Sequence, residues 1–130
     1  MMSRLLLDTH IAVRRIIEGK GLTRDQIREL DAAERRSESV ALSTISLLEI
    51  AFLIRDRKVE ISPDLLKSLE LDFRFEILPI SAQVALEAAA LHSLRDPFDQ
   101  VIVASAGVHR LKLVTSDLRI IDSQLVPVIE

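Results

Sequence analysis

The 130-residue sequence contains no cysteine, no tryptophan and no tyrosine, and only four phenylalanines. Without cysteine the protein has no disulfide, no thiolate zinc site and no cysteine nucleophile, which fits a reducing compartment such as the cytoplasm. With so few aromatic rings, the core has to be built from Leu, Ile, Val and Ala. The aromatic base-stacking platforms of many single-strand-binding proteins are not expected here.

A surplus of positive charge and long hydrophobic runs are also missing. The formal net charge is −3, so no overall positive field draws the protein to nucleic acid or to anionic lipid. The run Leu5–Leu7 is too short for a signal peptide or a membrane span, and Asp8 ends it. We therefore expect a cytoplasmic protein with no membrane partner. The length of 130 residues predicts one domain over residues 1–130. The hydrophobic content of 48% excludes a disordered chain.

Short apolar runs alternate with helical patterns along the chain. Gly19 and Gly21 end the first helical pattern, and Thr23 is expected to cap the second. Because strands and helices alternate, the sequence predicts an α/β domain with a mainly parallel sheet. The predicted strands cover residues 4–7, 40–43, 73–80, 111–115 and 126–129, and the predicted helices cover residues 11–17, 23–36, 45–55, 62–71, 81–91 and 96–107, with a short helical turn from Asp117.

Residues 95–106 place two carboxylates at the head of a helical pattern that is otherwise almost wholly apolar. Asp96 followed by Pro97 is typical of a helix N-cap and first helical residue. Asp99 lies one turn further on, on the same face as Ile102 and Val103. A helix that is apolar on most sides belongs in the middle of a domain, where a carboxylate is costly unless something compensates its charge.

Asp99 is one of four acids that the predicted sheet brings to one edge. Asp8 ends the first strand, Glu49 lies one turn into the helix after the second strand, and Asp117 follows the strand at 111–115. In parallel sheets, ligands bind in the crevice beyond the carboxyl ends of the strands. The four carboxylates are therefore expected to converge in that crevice.

Helix capping is the alternative explanation for each acid taken singly. Asp8 and Asp117 are possible N-caps, Ser46 and Glu49 match a capping box, and Asp99 stands where the box partner of Asp96 would stand. Together, however, four converging carboxylates repel one another, by about 4 kcal/mol for a pair at 4 Å and an effective dielectric constant of roughly 20. A divalent cation relieves that repulsion, and all-oxygen ligands suit Mg²⁺ or Mn²⁺ better than zinc.

A carboxylate-held metal without a recognisable nucleophile favours metal-assisted hydrolysis of a phosphate ester. Several polar residues near the same edge could orient the ligands, although local capping is the better explanation for any one hydroxyl taken alone. For Asp96, the sequence leaves two roles open, a helix N-cap and a metal ligand. These supporting candidates are Thr9, Ser43, Asp96, Thr115 and Ser116.

Four motifs, in order along nearly the whole chain, resemble the PIN-domain family, and in particular the small VapC toxins of prokaryotic type II toxin–antitoxin systems. The start of the chain and the Asp-Pro-Phe-Asp stretch are the most specific of the four in combination. The motifs are Leu5-Leu6-Leu7-Asp8-Thr9-His10, Ser43-Thr44-Ile45-Ser46-Leu47-Leu48-Glu49-Ile50, Arg95-Asp96-Pro97-Phe98-Asp99-Gln100-Val101-Ile102-Val103-Ala104 and Leu113-Val114-Thr115-Ser116-Asp117.

The resemblance implies a three-layer α/β sandwich and a Mg²⁺- or Mn²⁺-dependent endoribonuclease. Asp8, Glu49, Asp99 and Asp117 match the family's acidic quartet, with Asp8 and Asp99 as the main direct ligands and the other two acting directly or through water. Thr115 matches the hydroxyl residue often found before the fourth acid. Such toxins are usually homodimers, held inactive by a cognate antitoxin whose C-terminal segment covers the acidic groove.

Basic residues early in the chain are expected mainly to form a solvated surface. A sharper alternative is that Arg14 and Arg15 contact RNA phosphates at the rim of the acidic site. Replacing them by Glu should then weaken RNA binding and flatten its dependence on salt.

Three other functions remain possible at this point. A receiver-like signalling module needs a Lys beyond the end of a later strand, but Lys112 begins its strand. A phosphatase with a covalent aspartyl phosphate needs a second acid two residues after the first, and His10 stands there instead. A PIN-like interaction protein without catalysis would lack metal binding, so a metal titration separates it from a nuclease.

Overall fold

Five parallel strands form one sheet in the computed structural model, which describes residues 3–130. The spatial order of the strands is β3-β2-β1-β4-β5, and every neighbouring pair is parallel. The predicted α/β fold with a parallel sheet is confirmed. The strands are β1 (Leu5–Leu7), β2 (Val40–Ser43), β3 (Phe75–Leu78), β4 (Lys112–Val114) and β5 (Val128–Ile129).

The strand order fixes where a ligand can bind. From β1 the chain adds β2 and β3 on one side, then returns to add β4 and β5 on the other. The switch point therefore lies beside β1, next to β4, and the crevice there opens at the carboxyl ends of the two strands. Receiver-like folds have the order 2-1-3-4-5, so the observed order excludes the receiver-like alternative.

Helices cover both faces of the sheet. The first one, α1, continues without a break into a π-helical segment, and Gly19 ends that segment in the left-handed conformation with φ of 69°. In the described part of the chain, no helix is both long and apolar enough to cross a membrane. The helices are α1 (Thr9–Ala12, continued as the π-helix Val13–Glu18), α2 (Arg24–Arg35), α3 (Thr44–Arg55), α4 (Pro63–Leu71), α5 (Ala82–Ala89), α6 (Pro97–His109) and α7 (Leu118–Ser123).

Several predicted boundaries are displaced by one or two residues, and the local reason is clear for two of them. Strand β3 begins at Phe75, two residues later than predicted, because the Asp72 side chain accepts a hydrogen bond from the Arg74 amide and holds a turn there. Helix α6 passes through Gly107 and ends only where Arg110 adopts the left-handed conformation. A glycine inside a helix does not end it when packing holds the helix on both sides.

Alternate side chains of β1 build two cores. Leu6 faces α6, where it joins the buried side chains of Ile102 and Val103. Leu7 faces the other side and joins a cluster that contains Ile11 and Leu30 from α1 and α2. The sheet is thus the middle layer of three, and the apolar helix α6 packs directly on it.

Candidate active site

Asp8 lies at the switch point, directly after β1. Its amide donates a hydrogen bond to the Val114 carbonyl at 3.0 Å, so the residue is fixed against β4. Its side chain makes no helix-capping hydrogen bond. The residue is only 3% exposed. Helix capping therefore does not explain why the Asp8 carboxylate is buried.

The Thr115 hydroxyl connects two of the acids. It donates a hydrogen bond to Asp8 Oδ2 at 2.8 Å and accepts one from the Asp117 amide at 3.0 Å. Thr115 is fully buried at the end of β4. A single hydroxyl thereby sets the position of the first and the fourth acid relative to each other.

Gln26 supports the same loop, and the sequence analysis missed it. Its fully buried amide donates to the Thr115 carbonyl at 3.3 Å and to Ser116 Oγ at 2.9 Å. Its Oε1 accepts from the Thr23 amide at 2.9 Å, which completes a capping box at the start of α2. The pattern Thr23-x-x-Gln26 could have revealed the box, but not the contact across the fold. Ser116 is bonded to Gln26 by this contact.

Glu49 is half-buried on α3, and its predicted capping box with Ser46 is wrong. The N-cap of α3 is Ser43, whose hydroxyl accepts from the Ile45 amide at 3.2 Å. Ser46 already lies inside the helix, and its hydroxyl is 2.8 Å from that of Thr9. The Thr9 side chain also lowers the pKa of the Glu49 carboxyl, against the effect of burial. Thr9 therefore connects the start of α1 to the helix that carries the second acid.

Asp96 and Asp99 lie at the start of α6, as predicted. Asp96 is the N-cap and accepts from the Phe98 amide at 2.9 Å, and Pro97 is the first helical residue. Asp99 follows one turn later and is buried, with 9% of its surface exposed. The capping role of Asp96 is thus confirmed, and its being a metal ligand stays a prediction.

The positive charge near the buried acids does not offset the cost of their burial. Burial, together with the charges of Asp96, Asp8 and Asp117, raises the pKa of Asp99 to about 6, although the charge of Arg119 works against this increase. Burial also raises the pKa of Asp8 and of Glu49, although hydrogen bonds from Thr115 and Thr9 and the charge of His10 work against it. The acids are therefore close enough to repel one another.

Asp117 differs from the other three because Arg119 pairs with it. Arg119 Nη2 lies 2.9 Å from Asp117 Oδ2, and its Nε lies 3.3 Å from Oδ1. The Arg119 amide also donates to Oδ1 at 2.9 Å, so Asp117 caps α7. These bonds hold the pKa of Asp117 below its usual value.

Arg119 also reaches a second acid. Its Nη2 lies 3.5 Å from Asp99 Oδ2. The sequence analysis missed Arg119, although a cation in the first turn of a helix opposes the helix dipole and was a signal that it has a specific partner.

The donor chemistry fits Mg²⁺ or Mn²⁺, since the converging groups are carboxylates and hydroxyls. Within residues 3–130, however, no three side chains of the kind that binds metals are arranged to hold an ion as they stand. Oxygen donors for a divalent ion are present, but Arg119 contacts two of the four carboxylates, those of Asp99 and Asp117. Binding an ion requires side-chain rearrangement.

The two predicted RNA-contacting arginines have contacts within the protein. Arg15 Nη2 lies 2.8 Å from Asp31 Oδ1 and 3.4 Å from Glu34 Oε2, both on α2. Arg14 is partly buried, and its Nη1 donates to the Gly21 carbonyl at 3.5 Å. Contact of these arginines with RNA stays a prediction.

A cavity of about 300 Å³ opens elsewhere, beside β2 and β3. Its lining includes Val40, Phe73, Arg74 and Phe75, and none of the four acids. The four acids at the carboxyl edge of the sheet therefore lie outside this cavity.

Comparisons with known proteins agree with the fold. The family model described as PIN domain matches residues 5–123. Ribonuclease VapC22 from Mycobacterium tuberculosis is 30% identical over 122 residues, which cover 92% of this chain and 91% of that protein.

Three solved structures share the fold. VapBC2 from Rickettsia felis, bound to a promoter DNA fragment, superposes with a TM-score of 0.70 at 20% identity and covers 98% of this chain and 97% of that chain. DNA-bound VapBC from Salmonella typhimurium superposes with a TM-score of 0.68 at 24% identity, and the match covers 98% of this chain and 97% of that chain. FitAcB from Neisseria gonorrhoeae superposes with a TM-score of 0.68 at 23% identity, and the match covers 97% of this chain and 96% of that chain. With the family model matching nearly the whole chain, the chain belongs to the PIN domain family.

Proposed function

We propose that this protein is a Mg²⁺- or Mn²⁺-dependent endoribonuclease and the toxin of a VapBC-type toxin–antitoxin module, acting in the cytoplasm. The observation that carries the proposal is the set of buried, mutually repelling carboxylates of Asp8, Glu49 and Asp99 at the switch point. Membership of the PIN family and similarity to a protein named as a ribonuclease support RNA as the substrate.

Each residue has a distinct part in the proposed site. Asp8 and Asp99 would be the main ligands of the ion, and Glu49 and Asp117 would complete the site directly or through water. The bound ion would supply a Lewis acid and an activated water for hydrolysis of a phosphodiester bond. Thr115 holds the Asp8 carboxylate and the Asp117 backbone in place, so that these two positions need not be ordered on binding.

The proposed partners follow from the relatives. The solved structures that share the fold are described as VapBC complexes, and we infer a cognate antitoxin that covers the acidic groove. A homodimer and an absence of membrane partners belong to the same proposal.

The test is cleavage of a mixed tRNA and ribosomal RNA pool by the purified protein with Mn²⁺, with Mg²⁺ or with EDTA. We expect discrete fragments that require the metal. Fragments that persist in EDTA would contradict metal dependence. Absence of both cleavage and metal binding would instead favour a catalytically silent interaction protein, an alternative that fits the closed arrangement of the acids.

The cleavage rate is expected to fall about tenfold per pH unit below pH 6 when the metal is subsaturating. Burial raises the pKa of Asp99 to about 6, and a protonated carboxyl is a poor ligand for a cation. Protons and metal compete, so saturating metal should move the midpoint to lower pH. Initial rates between pH 5 and 8 at two metal concentrations test this, with circular dichroism as the folding control. A rate that stays flat down to pH 5 at both concentrations would show that Asp99 is not a required ligand.

Arg14 is the better of the two arginines for testing RNA contact, because Arg15 is held by two carboxylates of α2. Arg14→Glu is expected to weaken RNA binding and to reduce the slope of log affinity against log salt by about one. Binding is measured with the Asp99→Asn variant as background, so that no RNA is cleaved. An unchanged slope would remove Arg14 from the proposed interface.

A further inference from the structure

Arg119 joins two acids that come from different parts of the fold. Asp99 belongs to α6, and Asp117 precedes α7. The guanidinium contacts Asp117 through Nε and Nη2 and reaches Asp99 through Nη2. It therefore occupies the space between two of the four carboxylates.

The pairing takes up both oxygens of Asp117. Oδ2 accepts from Nη2 at 2.9 Å, and Oδ1 accepts from the Arg119 amide and from Nε. A divalent ion would need these same oxygens, and it would be repelled by the guanidinium charge. Among the described residues, no three metal-binding side chains are arranged to hold an ion. The Arg119 contacts keep two of the four acids, Asp99 and Asp117, paired with a cation.

The pairing can also open. The Arg119 side chain is 72% exposed, and ion pairs of exposed side chains are weak because water screens them. Water is available to solvate the guanidinium once it swings away. Nothing buried has to move for the two carboxylates to be released.

From these contacts we propose that Arg119 is a built-in competitor of the divalent ion: it neutralises Asp99 and Asp117 in the metal-free protein and has to leave them before the ion binds. This inference rests on the proposed metal site. It assigns Arg119 a function distinct from that of a ligand, namely to weaken metal affinity and to stabilise the site without metal.

The chain contains a matched control pair far from the acids. Arg74 binds Asp72 with the same spacing and the same contacts, through its amide at 3.0 Å, its Nε at 3.1 Å and its Nη2 at 2.7 Å. Arg74 directly precedes β3 and so lies at the amino edge of the parallel sheet, opposite the acids. Arg74→Gln removes one positive charge exactly as Arg119→Gln does, but leaves the proposed site intact.

The experiment is a calorimetric titration with Mn²⁺, without RNA, of the wild type and of the Arg119→Gln, Arg74→Gln and Asp99→Asn variants. We expect Arg119→Gln to bind Mn²⁺ about twofold to tenfold more tightly than Arg74→Gln. In EDTA, Arg119→Gln should also melt at a lower temperature than the wild type, because Asp99 and Asp117 then repel each other unshielded. Arg119→Lys, which keeps the charge, should restore much of that loss.

The outcomes separate this inference from the proposed function. If the wild type binds Mn²⁺ and Asp99→Asn does not, but Arg119→Gln binds no more tightly than Arg74→Gln, the competitor role is wrong and the metal site stands. Weaker binding by Arg119→Gln would likewise overturn it, since Arg119 would then be helping to position the ligands. If no variant binds Mn²⁺, both the metal site and the competitor role are wrong.

Discussion

Replacing Asp99 by Asn is expected to reduce metal-dependent RNA cleavage about a thousandfold or more. The amide keeps the size of the side chain but removes the negative charge that a divalent ion needs. A correctly held ion stabilises the transition state by several kcal/mol, and each 1.36 kcal/mol corresponds to a factor of about ten in rate. The measurement is the initial cleavage rate at saturating Mg²⁺ or Mn²⁺.

The matched control for Asp99→Asn is Asp122→Asn. Asp122 is an exposed acid on α7, so this variant makes the same chemical change away from the groove. It should keep the wild-type rate. Cleavage by Asp99→Asn within tenfold of the wild type would contradict the assignment of Asp99 as a main ligand.

The same substitution should make the metal-free protein more stable. Because burial and neighbouring acids raise the pKa of Asp99 from 3.8 to about 6, the folded state binds more protons at this group than the unfolded state between those two values. The free energy of unfolding therefore falls as the pH rises through that window. Asp99→Asn should therefore raise the free energy of unfolding by about 1–3 kcal/mol above pH 6 and should change it little below pH 4. Denaturation in EDTA at pH 7.5 and pH 4 measures both values.

Thr115→Val is expected to lower the cleavage rate about tenfold to a hundredfold. Valine fills the same space but removes the hydroxyl that donates to Asp8 and accepts from the Asp117 amide. Loss of a group that orients metal ligands typically costs about this much in activity or metal affinity. Thr115→Ser keeps the hydroxyl and should recover most of the rate.

Thr44→Val provides the comparison. Thr44 begins α3 after β2, and its hydroxyl donates to the Leu78 carbonyl at 2.7 Å without contacting an acid. Both Val variants should lose about 1–2 kcal/mol of stability from the broken hydrogen bond. Only Thr115→Val should weaken Mn²⁺ binding. Equal effects of the two variants on metal affinity would mean that Thr115 acts through stability alone.

The sequence revealed the features that short-range patterns encode. The short apolar run Leu5–Leu7 predicted a buried strand, and Asp96-Pro97 predicted the start of α6. The acids at the ends of the apolar runs could be placed at one edge because all strands run in parallel.

The remaining features depend on contacts between distant residues. Gln26 and Thr115 are 89 positions apart. No pattern in the sequence predicts that a side-chain amide on α2 hydrogen-bonds the loop after β4. Arg119 was overlooked because its partner Asp99 comes from another helix, 20 positions away. Ser46 matched a capping box by spacing, but its hydroxyl is bonded to Thr9 because Ser43 already caps the helix.

The measurement that tests the central claim most directly is anomalous X-ray diffraction from crystals of the protein grown with Mn²⁺. The account predicts an anomalous peak coordinated by Asp8 and Asp99, with Arg119 turned away from both Asp99 and Asp117. Mn²⁺ bound elsewhere, or no peak at the switch point at a Mn²⁺ concentration that supports cleavage, would contradict the assignment of these carboxylates as the catalytic metal site.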